Sequence, residues 1–75
     1  MARPRDSELA ARIGAHARAA RVAAGLTQEQ LAERVGVQAA AVSRFENGAV
    51  GFSLGTLRDI TDALGIPLAS LFDDA

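Results

Sequence analysis

The stretch GLTQEQLAERVGVQAAAVSRFENG, residues 25–48, decides the fold. Glycines stand at both ends and a third, Gly36, divides it. Thr27 and Gln30 make a T-x-x-Q capping box. In such a box the threonine oxygen accepts the N–H three residues on, and the glutamine reaches back to the threonine N–H. A helix therefore opens after Thr27. Leu31, Ala32 and Val35 give it one apolar face. Gly36 ends it in the left-handed conformation that only glycine adopts at no steric cost. A second helix follows from Gln38 or Ala39 to Glu46, with Asn47-Gly48 as its stop. The small Ala32 lets the second helix cross the first closely, Gly36 permits the tight turn, and Val42 with Phe45 lock the two together. Over residues 28–47 these are the demands of a helix-turn-helix, whose helices meet at roughly 90–120°.

Outward from this unit the chain reads as helix throughout. Helix 1 is expected from about Glu8 to Ala24, with Ser7 or Asp6 as its cap and Leu9, Ile13, Ala17, Ala20 and Ala24 as its apolar stripe. Ser53 caps a fourth helix with the face Leu54, Leu57, Ile60, Thr61 and Leu64, closed by Gly65. Pro67 suits the first position of a short fifth helix or turn, Leu68 to Phe72. No segment reads as strand. The expected architecture is all-α: five short helices around one core, a single domain over residues 8–72. A loose basic arm, 1–7, precedes it and an acidic tail, 73–75, follows.

Seventy-five residues allow one thin core. The absence of cysteine excludes disulfides and thiolate metal sites. His16 alone makes no metal site and reads as a partly exposed helix residue. No apolar run approaches the ~18 residues of a membrane span, and MARPRDSE lacks a signal-peptide core. A soluble cytoplasmic protein is the expectation. The net charge of −1 hides an asymmetry. Residues 1–48 carry seven of the eight arginines (Arg3, Arg5, Arg12, Arg18, Arg21, Arg34, Arg44) against Asp6, Glu8, Glu29, Glu33 and Glu46. Residues 49–75 carry Arg58 against Asp59, Asp62, Asp73 and Asp74. The basic half is the half with the helix-turn-helix pattern.

With SLGTLRDITDALGIPLASLF following it, the stretch resembles the Xre/Cro family of phage-repressor-type helix-turn-helix domains, over about residues 8–72. GLTQEQLA and SRFENG are the most specific parts of the match. The resemblance implies a transcriptional regulator that binds double-stranded DNA. It implies that Gln28 contacts a DNA phosphate and Asn47 a second point on the backbone. It implies that Arg21 and Glu46 form a semi-buried ion pair tying helix 1 to the end of helix 3. In many members the last helix is a two-fold dimer interface, which here points to Leu68, Leu71 and Phe72 and to a homodimer on a palindromic operator. Two departures stand out. Ala17 and Ala20 are smaller than the usual residues, and positions 39–41, which usually hold a polar or basic reader, hold three alanines.

Helical geometry divides the third helix by face. At about 100° per residue, Val42 and Phe45 lie together with Ala41 beside them. Ala39, Ala40, Ser43, Arg44 and Asn47 lie opposite, with Gln38 at the helix start. Gln38, Ala39, Ala40, Ser43 and Arg44 are the candidate base readers. Arginine pairs bidentately with guanine O6 and N7, glutamine addresses adenine, and an alanine methyl meets a thymine methyl. Arg12, Arg18 and Arg34 have the character of ordinary exposed helix charges, and Arg18 is carried as a candidate phosphate contact. The bland reading of the alanines is a good helix former and nothing more. A protein-interaction module on the same fold, antitoxin-like or an adaptor, is the alternative function, favoured by the acidic second half and the alanine-rich helix. No nucleophile–base pair, phosphate loop or metal cluster argues for an enzyme, and Asp59 with Asp62 and Asp73 with Asp74 read as solvated carboxylates. No cofactor, metal or small-molecule effector site is expected.

Overall fold

The computed structural model describes residues 4–49 and 51–72. Four α-helices run in order: α1 (Pro4–Ala23), α2 (Gln28–Val35), α3 (Ala39–Glu46) and α4 (Leu54–Leu64). A 3-10 turn over Leu68–Phe72 closes the chain, so the expected fifth helix is a single tight turn. Among the described residues there is no strand. No described helix is long and apolar enough to cross a membrane.

The helix ends follow from their caps. Thr27 Oγ1 accepts from Gln30 N at 3.0 Å, and Thr27 N donates to Gln30 Oε1 at 2.9 Å. Gly36 sits at φ 81°, where its N–H reaches Ala32 O at 2.8 Å. Ser53 Oγ accepts from Thr56 N at the start of α4. α1 departs from expectation. It begins at Pro4, a residue suited to the first helical position, so Ser7 lies inside the helix rather than capping it. The backbone of residues 4–7 is thus helical, which corrects the assignment of those four to a flexible arm. The start of that expected arm, with Arg3, and the acidic tail at 73–75 lie outside the described residues.

The core is built from Ala17, Leu31, Ala32, Val42, Phe45, Leu57, Ile60, Leu64 and Leu71. α2 packs on α3 and α4, and α1 packs on α3 and on the closing turn. Phe52, from the loop before α4, leans on Phe45 with ring centroids 5.1 Å apart. Leu54, expected on the inner face of α4, is 70% exposed, and Leu9 is exposed on α1. The inner face of α1 is made by Ile13, Ala17 and Ala20, as expected, joined by Gly14, while Ala24 is exposed beyond the helix end. Gly14 is the point of closest approach. A Cβ built there would stand 2.8 Å from Glu46 O and closer still to Phe45 O. The end of α3 therefore rests directly on the backbone of α1.

Candidate nucleic-acid interface

That close approach delivers Glu46, the last residue of α3, into the junction of three helices. Its side chain is 2% exposed. Arg21, one turn from the end of α1, holds it bidentately. Nε donates to Glu46 Oε2 at 2.7 Å and Nη2 to Oε1 at 3.0 Å. Arg21 Nη1 donates to Leu26 O at 2.7 Å, in the turn that leads into α2. This pairing stabilises the protonated guanidinium and raises the Arg21 pKa, against the opposing effect of burial. Removing one member of a buried pair costs ~3–5 kcal/mol because the other is left uncompensated.

Gln28, the first residue of α2, joins the same carboxylate. Its Nε2 donates to Glu46 Oε1 at 2.9 Å. The family resemblance implies an Arg21–Glu46 pair and, separately, Gln28 as a phosphate donor. The structure brings all three together. The capping box occupies two of the four N–H groups that a helix start leaves over, which leaves those of Gln28 and Glu29 for an outside acceptor. Arg18, Gln28 and Asn47 surround a polar recess of about 200 Å³ with Arg21 and Glu46. Asn47 is exposed, and its Nδ2 donates to Ser43 O at 2.9 Å, which fixes the amide against α3. Among the described residues no buried side-chain nitrogen or oxygen lacks a partner.

Next to the recess a shallow cleft of about 430 Å³ separates the first turn of α2 from α3. Ala39, Ala40 and Ser43 form its α3 wall, and Thr27, Gln28 and Glu29 the other. Gln38, Ala40 and Arg44 are exposed along α3, while Ser43 is half-buried. Ala39 is half-buried and packs against the core, so its methyl is only partly open. Glu29 was not singled out in the sequence. It lines the cleft from the first turn of α2, where its carboxylate adds negative charge.

The three residues expected at a dimer interface divide. Leu71 is fully buried (0% exposed) and belongs to the protomer core, which corrects its assignment to a contact surface. Leu68 is half-buried against that core. Phe72 is 42% exposed and is the part of the closing turn open to a neighbour. The expectation for His16 is a partly exposed helix residue. It is half-buried, and its Nδ1 donates to Leu71 O at 2.9 Å.

Residues 12–71 match the family model described as a helix-turn-helix domain. The chain belongs to that helix-turn-helix family. It is of the Xre/Cro type, with an all-helical fold shared by solved regulators. The restriction-modification controller protein C.AhdI from Aeromonas hydrophila superposes with a TM-score of 0.83 at 31% identity, over 93% of this chain and 100% of that one. The PlcR protein of Bacillus thuringiensis, solved with the peptide PapR7 and DNA, gives 0.76 at 38% identity over 84% of this chain and 22% of that one. A Rhodospirillum rubrum protein, named as an uncharacterized transcriptional regulator in the ATPase CF(0) region, is 38% identical over 64 residues, 85% of this chain. The chain spans 59% of the length of that relative.

Proposed function

We propose that this helix-turn-helix domain is a sequence-specific regulator of transcription that binds double-stranded DNA in the cytoplasm. In this reading α3 lies in the major groove of a palindromic site and two copies of the chain bind together. The observation that carries the reading is contiguity: the outer face of α3 runs directly into the polar recess of Arg18, Gln28 and Asn47. Base edges and backbone phosphates of one groove would thus meet one continuous surface. The relative solved on DNA supports the same use of this fold.

Roles divide by chemistry. Arg18 supplies a cation, and Gln28 and Asn47 supply neutral amide groups, to phosphates. Such contacts set register without reading sequence. Gln38, Ser43 and Arg44 supply hydrogen bonds to base edges, and Ala39 and Ala40 supply methyl contacts. With so few polar readers, groove shape carries a large share of discrimination. Leu68 and Phe72 form the surface for a second copy, supported from within by Leu71. Two α3 helices one DNA turn apart stand about 34–36 Å from each other.

The test is selection of bound duplexes from random DNA, with the mass in solution measured alongside. An inverted repeat with half-sites about 10 base pairs apart is expected, together with a dimer mass and relaxed preference in Arg44→Ala. No enrichment at low salt would sink the reading. One observation favours an interaction module instead: Val22 is 60% exposed beside Ala15 and Ala19 on the outer face of α1. A co-purifying protein together with absent DNA binding would decide for that alternative.

A further inference from the structure

We propose that Glu46 is a positioning residue for the backbone contact: through Gln28 it presets the donor that meets the DNA phosphate. The inference rests on the DNA-binding reading above and adds a residue that touches no DNA.

Glu46 Oε1 is an acceptor with almost no freedom. Its carboxylate is held at both oxygens by Arg21, and Arg21 is itself held by Leu26 O. Gly14 fixes the end of α3 that carries it. Gln28 Nε2 has two hydrogens, and the bond to Glu46 uses one. The second belongs to the same planar nitrogen, at the wall of the recess that Arg18 and Asn47 also line. A glutamine at the start of a helix otherwise samples many rotamers, and a contact made by such a chain must first order it. Tethering orders the amide before DNA arrives.

The same geometry explains why a carboxylate is tolerated under a phosphate site. Glu46 alone would repel a second anion. Paired with Arg21 it is neutralised, so the recess presents donors and the Arg18 charge. Arg21, Glu46 and Gln28 then act as one unit, which couples correct packing of α1, α2 and α3 to the placement of the Gln28 donor. The expected value of the preset is about tenfold in affinity, equivalent to ~1.4 kcal/mol of side-chain ordering.

Binding to a mixed-sequence duplex of about 30 base pairs, long enough for two half-sites one turn apart, tests this at low salt by fluorescence anisotropy. Wild type, Glu46→Gln, Gln28→Met and the double variant are compared at a temperature where circular dichroism shows all four folded. If Glu46 acts through Gln28, Glu46→Gln weakens binding about tenfold more in the wild-type background than in the Gln28→Met background. The charge change is common to both backgrounds and cancels. Equal losses in the two backgrounds would reduce Glu46 to scaffold and overturn the proposal while leaving DNA binding intact. No binding by wild type would overturn both. Should Glu46→Gln fail to fold, the Gln28 side-chain amide of the free wild-type protein decides by NMR. A side-chain amide as motionally restricted as the backbone, read from its 15N relaxation, is expected, and the high mobility of an untethered surface glutamine would refute the tether.

Discussion

Replacing Gly14 with alanine separates two opposed effects. Glycine inside a helix is disfavoured by ~1 kcal/mol relative to alanine, so propensity alone predicts stabilisation. The structure predicts the reverse. The added Cβ would lie 2.8 Å from Glu46 O, 3.0 Å from Glu46 C and nearer still to Phe45 O. These are backbone atoms and cannot rotate away. Phe45 O also accepts from Gly48 N at 3.1 Å, so displacing it disturbs the turn that ends α3. Overpacking of this kind costs ~1–3 kcal/mol, here at the upper end. Less the propensity gain, a net loss of about 2 kcal/mol is expected. For a domain of this size that lowers Tm by roughly 8–16 °C. Thermal unfolding followed by circular dichroism measures it, with Gly55→Ala as the control. At Gly55 the nearest atom a Cβ would meet is Ser53 Oγ, 3.8 Å away, so that variant should match or slightly exceed wild type. A Gly14→Ala protein as stable as wild type would show that α1 and α3 do not approach as described, and the placement of Glu46 would fall with it.

Three further outcomes follow from the same geometry. Thr27→Ala removes the oxygen that caps α2 and should cost about 1 kcal/mol in urea unfolding; an unchanged midpoint would mean that Gln30 finds another partner. Arg18→Ala should weaken DNA binding at all sequences alike and flatten the dependence of log K on log salt by ~0.9 per protomer. An unchanged slope would remove Arg18 from the phosphate set. Phe72→Ser should leave Tm within a few degrees of wild type, because the residue is 42% exposed, while shifting the mass by sedimentation toward the monomer; a stable dimer would place the interface elsewhere.

The parts of the fold written in short-range chemistry were legible in the sequence. The Thr27–Gln30 box, the left-handed Gly36 and the Ser53 cap each act within four residues, and the structure places them as read. The core face of α2 and the burial of Val42 and Phe45 on α3 followed from periodicity, but Ala39, expected on the outer face of α3, packs against the core. What escaped depends on neighbours distant in sequence. Gly14 reads as a mere weakness in a helix until the end of α3 is laid across it. Gln28 reads as a solvent-facing donor until Glu46, eighteen positions on, arrives beside it. A 3-10 turn repeats every three residues, so Leu68 and Leu71 stack inward on one side and Phe72 turns out, where the family resemblance alone had grouped all three. The signal for Leu54 and Leu9 was hydrophobicity alone, which does not oblige a residue to be buried.

The bond from His16 to Leu71 O has a consequence for the operator. Both ends of the proposed assembly are fastened to α1: the closing turn through His16, and the α2–α3 junction through Arg21. In a dimer joined at Phe72, the span from the two-fold axis to each α3 would run through the one helix to which both are fastened. Inserting one base pair between half-sites moves them ~3.4 Å apart and rotates one about the duplex axis by roughly a tenth of a turn. Such a protein would tolerate base changes within a half-site far better than any change in the distance between the two.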